Sequence, residues 1–328
     1  MAIPALLQGR LDLPVIAAPM FIVSNPELVI AQCLSGIVGS FPALNARPQE
    51  SLSQWLSQIE AALEAAKAVD PTRKIAPFAV NQIIHQSNPR LEHDLQVCVD
   101  HRVPMIITSL RAPGDVVKQV HAYGGLVFHD VISVRHAEKA LEAGVDGLIL
   151  VCAGAGGHAG TLSPFALVNE VRRFYDGPIA LSGAIGCGKS ILAAQALGAD
   201  FAYIGTRFIA TREANASAAY QQAIIDSSAN DIVYTPYFTG VAGNYLKASI
   251  AAAGLDPDNL PKSEASLEAI GNSTARAWRD IWGAGQGVGG IDDVPTTAEL
   301  VRRLRAEYLA ARAELTTKAA AFAQQSAL

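Results

Sequence analysis

The stretch that decides the fold is LEAGVDGLILV, residues Leu141–Val151. It has the pattern of a helix that ends at Gly144, followed by an aspartate and a short apolar run. A glycine in this position suits the left-handed conformation in which many helices end. An uninterrupted apolar run is typical of a strand that is buried on both faces, as in a parallel sheet. The stretch therefore predicts one helix–strand unit of an α/β protein.

The same order of residues recurs along the chain. ALGADFAYIG (Ala196–Gly205) repeats it closely, and CLSGIVGS (Cys33–Ser40) repeats it more loosely. Eight short apolar runs are predicted to be strands: Val15–Ala18, Ile37–Ser40, Ile75–Asn81, Met105–Ser109, Leu126–His129, Gly147–Val151, Ile179–Ser182 and Phe201–Ile204. The stretches between them, such as Leu52–Ala68, look helical. This alternation predicts an α/β fold, a TIM (β/α)₈ barrel.

The pattern changes after Arg212. Residues 214–276 are predicted to form a helical insertion, or cap, beside the barrel mouth, with no obvious buried strand. A glycine-rich loop, WGAGQGVGG (Trp282–Gly290), and an alanine-rich charged helix (Thr296–Ala321) follow. The predicted organisation is therefore a barrel over residues 1–213, the cap over 214–276, and a part over 277–328 that completes the barrel.

The overall composition narrows the classes of function. Half of the 328 residues are hydrophobic and 17% are charged, which suits a large buried core. The net charge of −5 argues against nucleic acid or an anionic membrane as the main partner. No apolar run approaches the roughly 18 residues of a membrane span, and Met1–Met20 lacks the features of a signal peptide. Four cysteines without a CxxC pair favour reduced thiols, a cytoplasmic location and no metal site.

The active site of a (β/α)₈ barrel lies at the C-terminal ends of its strands. AAPM (Ala17–Met20) follows the first strand, and its small residues and proline allow a flat ligand to approach the backbone. Packing into the core is an equally good interpretation of this segment. Asn81 ends the third strand, and its amide offers both a donor and an acceptor to the edge of a ring. An asparagine in that place is nevertheless more often a turn residue.

The loop after the sixth strand, CAGAGGHAG (Cys152–Gly160), carries one bulky side chain, that of His158. Its glycines let the backbone pass close to a planar group and leave the imidazole projecting. Histidine titrates near neutral pH and can act as a general acid or base. His158 is therefore the candidate catalytic residue, and the alternative is a flexible loop with an incidental histidine.

Two loops that suit a phosphate follow the seventh and eighth strands. SGAIGCGKS (Ser182–Ser190) formally matches a nucleotide-binding P-loop, although no later strand ends in a magnesium-binding aspartate. GTRF (Gly205–Phe208) follows the eighth strand. Barrels often bind a phosphate with the loops after these two strands and a helix N-terminus. A phosphate site of this kind is a better interpretation of the glycines than an ATPase or GTPase.

These segments together resemble the FMN-dependent nitronate monooxygenase family, formerly called 2-nitropropane dioxygenases. The resemblance rests on AGGHAG (Ala155–Gly160), ALSGAIG (Ala180–Gly186), YIGTRFIAT (Tyr203–Thr211) and WGAGQGVG (Trp282–Gly289). FMN-dependent enoyl-ACP reductases and some NADH:quinone reductases share this scaffold and most of these motifs. The resemblance thus specifies a flavin barrel more strongly than it specifies a reaction.

The resemblance implies FMN as cofactor and His158 as the catalytic histidine near the flavin ring. The residues implied to contact the ring are Ala18, Pro19, Met20 and Asn81. Those implied to hold the phosphate are Ser182, Gly183, Gly205 and Thr206, with Lys189 as an additional candidate. Gly157, His129 and Gln286 complete the predicted cofactor-binding set. Asp130 stands where related proteins often have lysine or glutamine, so that either it points away or His129 serves in its place.

The implied reaction is the oxidation of a small alkyl nitronate, such as propionate-3-nitronate, by O₂ through one-electron transfer to the flavin. His158 is expected to donate to the nitronate oxygens or to remove the α-proton of a neutral nitroalkane. One alternative is an NAD(P)H-dependent reductase of quinones or enoyl thioesters, with the cap aromatics Tyr234, Tyr237, Phe238 and Tyr245 as pocket wall or cap core. Another is a flavin-free phosphate- or nucleotide-binding barrel. The sequence does not decide whether the chain forms a homodimer.

Overall fold

The centre of the molecule is a parallel barrel, seen in a computed structural model that describes residues 3–260 and 278–323. Its strands are β1 (Val15–Ala17), β2 (Gly39–Pro42), β3 (Phe78–Ile84), β4 (Met105–Leu110), β5 (Leu126–Val131), β6 (Gly147–Val151), β8 (Ile179–Ser182) and β9 (Phe201–Ile204). A two-residue strand, β7 (Gly157–His158), lies in the loop after β6, outside the barrel. The hydrogen-bonded order is β1-β9-β8-β6-β5-β4-β3-β2, and a parallel bridge between Ile16 and Val38 joins β1 to β2. The predicted TIM barrel is confirmed.

The predicted and observed strands agree in order, and β6, β8 and β9 coincide with their predicted limits. β2 and β3 begin later than predicted, although Ile37 and Ile75 are buried. An apolar pattern reports burial and not hydrogen bonding, so it includes buried residues that precede the ladder.

Helices cover the outside of the barrel between successive strands. They are α1 (Pro26–Leu34), α2 (Ser51–Val69), α3 (Leu91–Asp100), α4 (Gly114–Ala122), α5 (Val134–Glu142), α6 (Pro164–Val171), α7 (Gly188–Leu197) and the short α8 (Thr206–Ile209). Local signals set several of their ends. The side chain of Asn25 accepts from the Leu28 N–H at 2.8 Å at the start of α1, and Gly198 ends α7 in the left-handed region at a φ of 110°.

The insertion after β9 contains strands as well as helices. Its elements are α9 (Ala218–Ile225), β10 (Ile232–Thr235), β11 (Gly243–Leu246) and α10 (Lys247–Ala252). β11 pairs antiparallel with both β10 and β7, and all four of its residues are buried. The prediction that the insertion lacks a buried strand is therefore wrong, because the run GNYL is too short and too polar to stand out. Residues 261–276 of the predicted cap lie outside the described residues, and its boundaries stay a prediction.

The last helix, α11 (Thr297–Ala323), packs between α7 and α1 and takes the place of an eighth outer helix. Leu300, Val301 and Leu304 join the same apolar cluster as Val15 of β1 and Ile191 of α7. The long insertion therefore interrupts the last β/α unit without removing its helix.

Over residues 3–260 and 278–323, no helix combines the length and apolar character that crossing a membrane requires.

Candidate active site

A cavity of about 560 Å³ opens at the C-terminal ends of the barrel strands. Its volume lies within the range of roughly 300–1,000 Å³ that is usual for small-molecule sites. The predicted site residues that line it are Ala18, Pro19, Met20, Asn81, Gly157, His158, Ser182, Gly183, Gly205 and Thr206. The fold thus brings most of the predicted residues to one cavity, while the role of each stays a prediction.

Two predicted residues are placed differently. His129 is buried away from the cavity lining, and its Nδ1 lies 2.8 Å from Thr108 Oγ1. Burial lowers the pKa of His129 to about 4. The side chain of Gln286 is also absent from the lining, and its backbone N–H donates to Gly154 O at 2.9 Å. Gly285 and Gly287, on either side of it, do line the cavity.

One end of the cavity, which we call the glycine end, is built from three interlocking loops, Gly154–Gly157, Gly183–Gly186 and Gly285–Gly287. The Gly285 N–H donates to Thr206 Oγ1 at 2.9 Å. A Cβ atom on Gly285 would lie 2.5 Å from Gly154 O, and one on Gly156 would lie 2.8 Å from Gly285 N. These glycines therefore let the loops pack directly against one another, and the cavity wall that they form carries only small side chains apart from that of Ile185.

The P-loop-like sequence does not form a nucleotide site. The Gly188 N–H, at the start of α7, donates to Glu307 Oε2 at 2.7 Å, and Gly188 lies against the backbone of α11. Lys189 is exposed and outside the cavity lining. The Ser190 hydroxyl accepts from the Gly186 and Cys187 N–H groups. A carboxylate therefore occupies the amide that a P-loop would offer to a phosphate, and the nucleotide-binding alternative loses its support.

Another part of the cavity wall is polar and is formed by residues of β3, β4 and β5. Asn81 Nδ2 donates to Ser109 Oγ at 2.9 Å, and the Ser109 hydroxyl donates to Asp130 Oδ2 at 2.6 Å. Burial raises the pKa of Asp130 to about 7. Asp130 lines the cavity and His129 does not, which is the reverse of the expected arrangement.

The insertion holds His158 in place, because its strand β11 pairs with β7. Residue Gly243 of β11 pairs with His158 of β7, and the imidazole lies edge-on to Trp278 with ring centroids 5.2 Å apart. Desolvation lowers the pKa of His158 to about 4, although part of the side chain stays exposed. Its Nε2 lies 2.8 Å from Thr239 Oγ1. The ring is therefore neutral at neutral pH while the cavity holds no anion.

The hydrogen bonds of Thr239 assign the tautomer of this ring. The Thr239 hydroxyl donates its single proton to Val241 O at 3.0 Å, and Tyr245 Oη lies 3.4 Å from the same oxygen. A hydroxyl has one proton and two acceptor sites, so when this proton goes to Val241 O, Thr239 accepts from His158 Nε2–H. The neutral ring then carries its proton on Nε2, which leaves Nδ1 as a proton acceptor.

Sequence reasoning missed Ser109, Thr239 and Trp278 as site residues. Ser109 ends a predicted strand, and that position was an available signal. Thr239 and Trp278 carry no local signal, because the insertion brings them to His158 from far along the chain. The cap aromatics Tyr234, Tyr237, Phe238 and Tyr245 are absent from the cavity lining, and Phe238 and Tyr245 belong to a small core of the cap.

Comparisons with known proteins agree with this fold. The family profile for nitronate monooxygenases matches residues 7–307. The nitronate monooxygenase of Paraburkholderia phytofirmans is 26% identical over 288 residues, which cover 75% of this chain and 77% of that protein. Nitroalkane oxidase from Streptomyces ansochromogenes superposes with a TM-score of 0.76 at 24% identity, over 95% of this chain and 100% of the other. FabK from Thermotoga maritima superposes with a TM-score of 0.78 at 24% identity, over 95% and 97%. The likeness to these solved structures shows the shared fold.

Proposed function

Because the chain belongs to the nitronate monooxygenase family, we propose that this oxidoreductase uses FMN to oxidise alkyl nitronates, such as propionate-3-nitronate, with O₂. The observation that carries the proposal is the position of His158, on the wall of a cavity that glycine-rich loops also line. This pairs a titratable side chain with a surface that suits a flat, phosphorylated cofactor.

The residues of the cavity fit FMN. The glycine end is lined mainly by glycine and alanine, so a phosphate and a flat ring can approach its backbone closely. In this proposal Ser182, Gly183, Gly205 and Thr206 hold the phosphate, and Ala18, Pro19, Met20 and Asn81 contact the ring. When bound, FMN supplies the one-electron chemistry that links the substrate to O₂, while the protein orients both.

His158 decides which form of the substrate is handled. With a neutral nitroalkane, Nδ1 takes the α-proton, and the electron pair of the broken C–H bond forms the C=N bond of the nitronate. With a preformed nitronate, Nδ1 must first gain a proton before it can donate to the negative oxygens. Desolvation lowers the pKa of His158 to about 4, so the ring is neutral and Nδ1 is free to accept a proton until an anion enters the site.

The proposal is tested by anaerobic mixing of the purified, FMN-loaded protein with propionate-3-nitronate or with NADH or NADPH, following flavin absorbance. Bleaching by the nitronate alone, followed by oxygen uptake when air is admitted, is the expected result. A protein that stays colourless after FMN is added would instead be a flavin-free barrel.

The second candidate is an NAD(P)H-dependent reductase of quinones or enoyl thioesters. Three apolar side chains that line the cavity are strongly exposed: Leu110 is 49% exposed, Ile132 41% and Val241 42%. Exposed apolar surface at a cavity mouth favours a substrate with a longer apolar part than a small nitronate has. Rapid, complete bleaching by the nicotinamide, with no response to the nitronate, would move the assignment to this reductase.

A further inference from the structure

The loop between β1 and α1 brings an aromatic side chain to the cavity that the proposed reaction does not use. Met20, Phe21 and Val23 of this loop all line the cavity. Phe21 is half-buried, so its ring belongs partly to the wall and partly to the open space. A bulky ring in this position restricts the room that is left for a substrate.

The backbone next to Phe21 is strained. Ile22 has a φ of 68°, in the left-handed region that side chains branched at Cβ strongly disfavour. A conformation of this kind persists only where its surroundings enforce it, and on a loop that lines a cavity it points to a function.

The side chain of Asn45 enforces this turn from the loop after β2. Its Oδ1 accepts from the Ile22 N–H at 2.9 Å, and its Nδ2 donates to Met20 O at 3.0 Å and to Ser24 O at 2.8 Å. The Ser24 hydroxyl closes the turn by accepting from the Met20 N–H at 3.0 Å. One amide group thus holds the residues on both sides of Phe21.

Asn215, at the start of the insertion, holds the same turn from the other side. Its Nδ2 donates to Ile22 O at 2.9 Å, and its backbone N–H donates to Val23 O at 2.9 Å. Both backbone polar groups of Ile22 are therefore bound by asparagine side chains from two distant parts of the chain. We call this arrangement of Asn45 and Asn215 around Ile22 the asparagine clamp.

The ring of Phe21 has a brace of its own. The guanidinium carbon of Arg47 lies over the ring at 5.2 Å from its centroid, a distance at which a cation is attracted to an aromatic face. Arg47 Nε donates to Leu44 O at 3.1 Å, and Leu44 also lines the cavity. The clamp fixes the backbone beside Phe21, and the brace restrains the ring.

We propose that Phe21 limits the size of the alkyl group that the cavity accepts, and that Asn45 and Asn215 are positioning residues that fix it on the cavity wall. This inference rests on the proposed function, because it takes an alkyl nitronate as the substrate. A wall excludes a longer chain by a clash, and the clash discriminates only if the wall does not yield. The clamp supplies that rigidity.

The test compares two unbranched substrates, propyl-1-nitronate and hexyl-1-nitronate, by oxygen uptake with the FMN-loaded protein. The wild type should prefer the shorter nitronate. Phe21→Ala should raise kcat/KM for the longer nitronate relative to the shorter one by about 10-fold or more. Asn45→Ala should raise this ratio about 2- to 10-fold, and Asn215→Ala less, because Asn215 is exposed. The change should lie in KM and not in kcat, since His158 is untouched.

The double variant shows whether Asn45 acts through Phe21. Once the ring is absent there is nothing left to position, so Phe21→Ala combined with Asn45→Ala should have the ratio of Phe21→Ala alone. Tyr175→Phe is the control: it removes a hydrogen bond of 2.9 Å to Asp146 O, which precedes β6 at the other end of the barrel, and should leave the ratio unchanged. Additive effects would overturn the positioning role, and an unchanged ratio in Phe21→Ala would overturn the size limit.

A second measurement needs neither the cofactor nor turnover. Amide hydrogen exchange of Ile22 and Ser24 in the cofactor-free protein should be faster in Asn45→Ala than in the wild type and unchanged in Tyr175→Phe. Equal exchange in Asn45→Ala and the wild type would overturn the clamp. A protein that binds FMN and oxidises neither nitronate would overturn the proposed function and the size limit together. Oxidation of both nitronates by the wild type with equal efficiency would overturn only the role of Phe21.

Discussion

The two ends of the cavity recognise a ligand in opposite ways. At the glycine end, the loops pack so closely that a Cβ on Gly183 or Gly285 would collide with a backbone oxygen of the neighbouring loop. The polar lining of the cavity, Asp130 and His158 among it, instead carries groups whose state depends on a proton, although His158 directly follows Gly157 of the glycine end. The first surface is fixed by the fold and does not titrate, whereas the second can be tuned by single substitutions. Binding and turnover should therefore be separable by mutation.

The largest expected effect on turnover comes from the substitution of His158. His158→Ala removes the only imidazole that the insertion positions through Thr239, and a histidine acting as base contributes about 10²–10⁴-fold. Turnover of a neutral nitroalkane should fall by that factor while FMN stays bound. The measurement is steady-state oxygen uptake with the flavin content determined in parallel. His136→Ala is the matched control, since His136 lines the same cavity, and equal losses in the two variants would remove His158 from the mechanism.

Gly285→Ala, in contrast, should weaken FMN binding. The new Cβ would lie 2.5 Å from Gly154 O and 2.8 Å from Gly156 N, and both are backbone atoms that cannot move without parting the loops. Overpacking of this kind costs about 1–3 kcal/mol, which corresponds to roughly a 5- to 150-fold loss of FMN affinity. FMN titration measures it. Gly186→Ala is the control, because its Cβ meets Gly287 O at an ordinary 3.5 Å. Equal affinity in the two variants would show that the loops are not rigid.

Thr239→Val tests the hydrogen bond between Thr239 and His158. It removes the acceptor that holds the proton on His158 Nε2, so Nδ1 is no longer kept free as a base. We expect kcat/KM for a neutral nitroalkane to fall about 2- to 10-fold, the value of one hydrogen bond, and kcat/KM for the preformed nitronate to fall less. Thr239→Ser should restore both. If both substrates lose equally and serine does not rescue, Thr239 supports the cap and does not set the tautomer.

The smallest effect is expected for Lys189→Ala. Lys189 is exposed and lies outside the cavity, beyond the amide that Glu307 occupies. FMN affinity should change by less than about twofold, as for an ordinary surface substitution. A large loss of affinity on FMN titration would show that the start of α7 also contributes to FMN binding.

The barrel could be predicted because its signals are local. Each helix–strand unit is marked in the sequence by a glycine that ends the helix, an aspartate and an apolar run, as at Gly144 and Gly198. The position of His158 relative to Thr239 could not be predicted, because the two residues are 81 positions apart. The strand that carries His158, β7, has only two residues. Such pairing depends on the insertion and leaves no periodic trace in the sequence.

The choice between His129 and Asp130 was within reach of the sequence. The predicted strand stopped at His129, whereas β5 continues to Val131. Phe128 lies in the core inside the barrel, and side chains alternate along a strand, so Asp130 shares its face and His129 does not. Extending the strand by two residues would have directed Asp130 into the cavity.

The contact between Glu307 and Gly188 also has a consequence for synthesis. The two residues are 119 positions apart, so the first amide of α7 has no carboxylate partner until the ribosome has added those residues. At about 5–20 residues per second, this takes roughly 6–24 s. Once β9 (Phe201–Ile204) has been added, all the barrel strands have been made, while the apolar faces of α1 and α7 that α11 covers still lack that helix. The apolar surface of the barrel's outer layer is therefore completed only when the last helix to be synthesised docks.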